Sequence, residues 1–212
     1  MKKVYANTLG SERTVELEYM YSSLEEHCES HTKILDVGGI PSNPDQMSKV
    51  YELIKNKSLN YNISDFRGGQ YKGDFIKYDF TKEKFNFIIF LSSLEHFPQC
   101  TEGPDLIYRK GEDRKGFAKA LDLLEEDGLI LLTVPFGVHR WQDYHQNYDL
   151  EGILNLTKGS EMIESFVYKL KSSTKDRFSG EWVLTDPELA EDLIYTDRAF
   201  GCGCFLFKKN NS

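Results

Sequence analysis

Three apolar runs constrain this chain most: Lys33-Ile34-Leu35-Asp36-Val37-Gly38-Gly39, Phe85-Asn86-Phe87-Ile88-Ile89-Phe90-Leu91 and Leu129 to Val134, the last closed by Pro135-Phe136-Gly137. Runs that are apolar throughout, rather than alternating, suit strands buried on both faces. Between them lie stretches with helical spacing, such as Met47, Val50, Tyr51 and Ile54, and Phe117, Ala120, Leu121 and Leu124. Strands alternating with amphipathic helices predict an α/β fold with a mostly parallel sheet covered on both faces.

The remaining elements follow from local signals. A helix is expected from about Ser11 to Glu29, and another after Asn43 as N-cap, with Pro44 at its first position and Gln46 completing a capping box. Strands are expected at Asn60 to Asp65 and Asp74 to Asp79, and a helix from Arg114 to Asp127 stopped by Gly128. The last third reads as a helix near Asp149 to Leu156, a strand near Phe166 to Leu170, a helix starting at Asp186-Pro187 and a final strand from Cys202 to Phe207. No internal repeat or low-complexity tract divides the chain, so residues 1–212 read as one domain.

Charge narrows the partners. With 26 basic and 34 acidic residues the formal net charge is −8, which disfavours duplex nucleic acid or an anionic membrane surface. No apolar stretch approaches the roughly 18 residues that span a bilayer, and no signal-peptide core follows the N-terminal lysines, so a cytoplasmic location is expected. Cys28, Cys100, Cys202 and Cys204 read as reduced structural thiols, with no second cluster to complete a zinc site.

Ligands of open parallel sheets bind outside the carboxyl ends of the strands. Asp36, Gly38 and Gly39 stand at the first such end, where glycines let a ligand approach the backbone closely. A dinucleotide turn would repeat its glycines as G-x-G-x-x-G, but Ile40 and Asn43 hold the second and third positions, and Asp45 would oppose a pyrophosphate. An adenosine without phosphates suits this turn better. Asp65, at the second end, can accept from both hydroxyls of a ribose, and Asp79, beside Phe80, from an adenine amino group. The fourth strand runs into Ser92-Ser93-Leu94-Glu95-His96, and the fifth into a loop that carries His139, Trp141, Tyr144 and His145. Histidine is the side chain whose pKa suits proton removal near neutrality.

In this order the strand ends ILDVGG, ISDF, KYDF, FLSSLEHF and DGLILLTVPFG resemble those of class I S-adenosylmethionine-dependent methyltransferases. The resemblance implies a Rossmann-like three-layer sandwich with an antiparallel last strand, which Cys202 to Phe207 would supply. It implies S-adenosylmethionine as cofactor, with Asp36, Gly38 and Gly39 under its methionine part, Asp65 on the ribose, Asp79 and Phe80 on adenine, and Ser92 and Ser93 alongside. Ile40-Pro41-Ser42 replaces the further glycines usual in that family, so the Ile40 backbone would take over one contact. No metal is expected, because Ser92 stands where an additional acid would be needed.

The expected chemistry is in-line methyl transfer to a small polar acceptor, such as a sugar or a phosphorylated or nucleotide-linked metabolite. His139, His145 and His96 are the candidate bases, and Trp141, Tyr144 and Tyr148 the candidate walls of the acceptor site. The polar stretch from Pro98 to Asp113, with Arg109 and Lys110, reads as a lid. The alternatives are a non-catalytic scaffold with this fold, an NAD(P)-dependent oxidoreductase, and a methyltransferase acting on peptide or RNA.

Overall fold

The structure, a computed structural model, describes residues 7–41, 44–100, 107–142, 145–173, 180–193 and 201–210. In chain order these form β1 (Asn7–Gly10), α1 (Glu12–His27), β2 (Lys33–Val37), α2 (Ser48–Asn56), β3 (Asn60–Asp65), β4 (Tyr71–Lys72) and β5 (Phe85–Leu91). There follow β6 (Gln99–Cys100), β7 (Ile107–Tyr108), α3 (Glu112–Leu123), β8 (Leu124–Pro135), β9 (Arg140–Gln142), β10 (His145–Asn147), α4 (Leu150–Leu156), β11 (Ser160–Ser173), β12 (Gly180–Thr185) and β13 (Gly201–Lys209).

Nine strands make one sheet in the order β1-β12-β11-β13-β8-β5-β2-β3-β4. Neighbours from β8 through β5, β2 and β3 to β4 are parallel. On the other side β13 runs antiparallel to both β8 and β11, β12 antiparallel to β11, and β1 antiparallel to β12. Only β13 and β12 oppose the common direction, so the sheet is mostly parallel with a reversed last strand, as expected.

Continuous apolar runs follow from two cores rather than one. Alternate residues of a strand point to opposite faces. Ile34, Ile89, Leu131 and Leu206 meet Val15, Met20 and Leu24 of α1 and Val50 of α2. Their neighbours Leu35, Ile88, Leu132 and Phe205 meet Phe117 and Ala120 of α3 and Ile153 of α4 on the other face. From β2 the chain steps outward to β3 and β4, then returns to β5 on the opposite side of β2. That reversal opens a crevice at the carboxyl ends of β2 and β5.

Several expectations shift in detail. The helix expected over Arg114 to Asp127 ends at Leu123, and Leu124 already pairs with Phe85. The register then slips before Phe87 meets Leu129, with Asp127 at φ +62°, so the polar Glu125-Glu126-Asp127 stretch is a bulge in β8 rather than a helix end. The extended piece expected over Asp74 to Asp79 is instead a helical turn, in which the Tyr78 amide donates to the Asp74 carbonyl at 2.8 Å, and the third parallel strand is the earlier Tyr71–Lys72. The strand expected near Phe166 grows to the 14 residues of β11. Asp186 does cap a helical turn, but one of only three residues. Pro44–Met47 is a 3-10 turn ahead of α2, and Asn43 lies outside the described residues. Among the described residues no helix is long and apolar enough to cross a membrane.

Candidate functional site

A cavity of about 660 Å³ opens at the carboxyl ends of β2, β3, β4 and β5. Its floor is the turn after β2. Gly38 has φ +81°, and a Cβ there would sit 2.7 Å from that of Ser93, while one on Gly39 would collide with the Asp36 carboxylate. The Gly38 amide donates to the Ser64 carbonyl at 2.7 Å, joining this turn to the end of β3. Asp36 is 1% exposed; Tyr61 donates its hydroxyl to one carboxylate oxygen, and the other has no hydrogen-bond partner. Burial pushes the Asp36 pKa up to about 6, with Tyr61 and Arg13 pulling the other way.

At the end of β3, Asp65 lines the cavity together with Ser64 and Phe66, and the buried Ser64 hydroxyl also lacks a partner. Arg67 grips Asp65, its Nε 3.1 Å from Oδ1 and its Nη2 3.2 Å from Oδ2.

The end of β4 corrects an expectation. Asp74, Phe75, Ile76 and Lys77 face the cavity, whereas Asp79 and Phe80 do not. Asp79 is turned to solvent and accepts from the Thr81 amide and hydroxyl, which hold its carboxyl below the usual range. Phe80 is buried against Tyr71, Phe75, Tyr78 and Phe85. The chain carries Asp-Phe three times, at 65–66, 74–75 and 79–80, and the early end of β4 brings the Asp74-Phe75 copy to the cavity in place of the last one.

Past β5, Ser92 and Ser93 line the cavity with their hydroxyls already committed. Ser92, at φ +43°, donates to Glu16, and Ser93 donates to the Val37 carbonyl at 2.6 Å. Both therefore tie β5 to its neighbours. His96 lines the cavity with 42% of its side chain exposed, and its Nε2 is 3.8 Å from Oε1 of Glu95. Glu95 is 2% exposed and its Oε2 has no hydrogen-bond partner. Burial lifts its pKa to about 7, against the pull of His96 and with the push of Glu16.

The other two histidines lie off the cavity. His145 is buried behind His96, their ring centroids 6.3 Å apart. His139 sits 3.8 Å from Asp149 and against the Tyr148 ring. The loop that carries it is tied down elsewhere, since Gly137 donates to Tyr148 and Val138 to Leu193. Tyr148 is no acceptor wall but a core residue, donating its hydroxyl to Asp113 at 2.8 Å. Trp141 belongs to the β9–β10 hairpin away from the cavity, and Tyr144 lies outside the described residues. Of the expected lid, β6 and β7 pair as a short ladder and Arg109 reaches the cavity; residues 101–106 lie outside the described residues.

Arg13 and Leu17 of α1 also line the cavity, and nothing in their sequence context marks them. Arg13 donates to the Leu91 carbonyl at 3.3 Å and pairs with Glu16 at 3.1 Å. Glu12, Glu16 and Cys202 gather ligand-type atoms within 4.8 Å behind this wall, but Glu16 already accepts from Ser92, Thr133 and Arg13.

No protein-family model and no curated protein sequence matches the chain. Solved structures do. A putative methyltransferase from Bacillus halodurans C-125 superposes with TM-score 0.52 at 10% identity, over 92% of this chain and 99% of that one. The chain has the class I methyltransferase fold. The 4+2 cyclase SpnF shares it with TM-score 0.54 at 11% identity, over 93% of this chain and 82% of that one. So does phosphoethanolamine N-methyltransferase 2 of Haemonchus contortus, in complex with S-adenosylhomocysteine, with TM-score 0.53 at 11% identity over 92% of this chain and 53% of that one.

Proposed function

We propose that the chain transfers a methyl group from S-adenosylmethionine to a small polar acceptor. The observation that carries this reading is the convergence, in one cavity, of the Gly38-Gly39 turn, the partnerless Asp36 oxygen and the Asp65 carboxylate from adjacent parallel strands. Asp36 and the glycine turn would hold the methionine part and Asp65 the ribose hydroxyls. Asp74 and Phe75, rather than Asp79 and Phe80, would frame adenine.

When bound, the cofactor supplies a methyl group already activated on sulfonium sulfur, so the protein's task is alignment and exclusion of water. His96 is the one candidate base that reaches the cavity, and it can take the proton an acceptor hydroxyl must lose. Buried Glu95 lies beside it, its Oε1 3.8 Å from the imidazole Nε2. Arg109 on the rim supports an acceptor bearing phosphate or carboxylate, consistent with a phosphorylated or nucleotide-linked sugar. The fold alone does not choose the chemistry, as the cyclase SpnF illustrates.

Titration calorimetry of S-adenosylhomocysteine, with NADH and NADPH alongside, tests the reading. Binding of the thioether that weakens about tenfold or more in Asp65→Ala is the expected result. Binding of a nicotinamide cofactor instead would make the protein an oxidoreductase, and binding of neither would make it a scaffold.

A further inference from the structure

Most of the hydrogen-bonding capacity of Asp65 is taken up by Arg67. Oδ1 accepts from the Arg67 amide at 2.7 Å and from Arg67 Nε at 3.1 Å, and Oδ2 accepts from Arg67 Nη2 at 3.2 Å. Burial raises the carboxyl's pKa, and these bonds more than offset it, so Asp65 stays ionised and engaged. A carboxylate offers about four lone-pair directions and three are used, so too few are left for two ribose hydroxyls. The same guanidinium also donates to the Ile40 carbonyl, strapping the turn after β3 to the turn after β2 across the cavity rim.

We infer that Arg67 is a built-in competitor for the cofactor ribose: it occupies the Asp65 carboxylate and must swing into solvent before a nucleoside diol can bind there. This rests on the cofactor reading above and adds a control on its affinity. The Arg67 side chain is 57% exposed, so release needs no repacking; it breaks a half-buried ion pair and leaves the buried Asp65 carboxylate for the ribose hydroxyls to satisfy. The measured affinity is then the intrinsic one reduced by the fraction of molecules with Arg67 released. Salt weakens such a pair and so raises that fraction. The opposite role, in which Arg67 stays in place to orient Asp65 for the ribose, predicts effects of the opposite sign.

S-adenosylhomocysteine titrated into the wild type, Arg67→Ala and Arg67→Gln at low and high salt decides between them, with thermal unfolding to confirm that each variant folds. As a competitor, Arg67 makes both variants bind about three- to tenfold more tightly than the wild type at low salt. The wild type then gains affinity as salt rises while the variants do not. Weaker or unchanged binding by folded variants, or a wild-type affinity that does not rise with salt, overturns the competitor role. If neither wild type nor variants bind, the cofactor reading itself fails and takes this inference with it, a result distinct from binding with the wrong sign.

Discussion

At the carboxyl ends of β2 and β3 the chain leaves a glycine with positive φ, an Asp36 oxygen without a partner and a buried Ser64 hydroxyl without one. On the other side of β8, β13 is paired along its length, with β8 on one edge and β11 on the other. There Cys202, Cys204, Tyr168 and Trp182 are buried, and the Trp182 indole donates to the Gly10 carbonyl at 3.2 Å. Parallel strands must all leave the sheet at the same edge, so their turns collect and present backbone and side-chain groups to one crevice. Antiparallel strands pass the chain back through neighbouring ladders and satisfy their polar groups within the sheet. The same sheet therefore holds an open half, with polar groups turned to the crevice, and a clamping half, and substitutions should separate them.

The largest effect is expected in the clamp. Phe205 is fully buried against Phe136 and Phe207, so Phe205→Ala should cost about 3–5 kcal/mol of unfolding free energy. Urea unfolding would show this, while affinity for S-adenosylhomocysteine, measured where the variant is still folded, should not change.

The open half should show a pH-dependent cost instead. Glu95 titrates at about 7 in the fold, above the ordinary carboxylate range, so the folded state binds the extra proton between those values. Its contribution is fully present below the ordinary carboxylate pKa and is lost as pH rises through about 7. Glu95→Gln removes that loss and should be more stable than the wild type by about 2–3 kcal/mol at pH 8, with the gap closing near pH 5. A gap that is the same at both pH values would contradict the assignment.

The smallest effect sharpens the border of the site. Asp74→Ala should lower affinity for S-adenosylhomocysteine about five- to twentyfold, whereas Asp79→Ala, in a solvated turn, should leave it unchanged. The reverse pattern would restore Asp79 and Phe80 to the adenine end.

What the residues alone disclose follows the same division. Asp36, Gly38 and Gly39 are legible because an apolar run ends sharply at them, and Asp65 because the short strand Asn60 to Asp65 is closed by Arg67-Gly68-Gly69. The two-residue β4 has no such run, so the choice between Asp74 and Asp79 turns on where a short ladder pairs, Ser64 with Tyr71, and that is a tertiary fact. The three candidate histidines follow two neighbouring strands, yet Gly137 and Val138 anchor the loop of His139 and His145 toward Tyr148 and Leu193, and of the three His96 alone reaches the cavity. Arg13 is illegible for another reason: its place depends on α1 crossing the ends of β5 and β8, to which its own helix carries no local clue.

Hydrogen–deuterium exchange with and without S-adenosylhomocysteine tests the division most directly. Added protection confined to residues 36–40, 64–68, 73–77 and 92–97, with β11, β12 and β13 unchanged, is the expected result. Protection spread over β11 to β13, or absent from the turns after β2 and β3, would contradict the placement of the site in the parallel half.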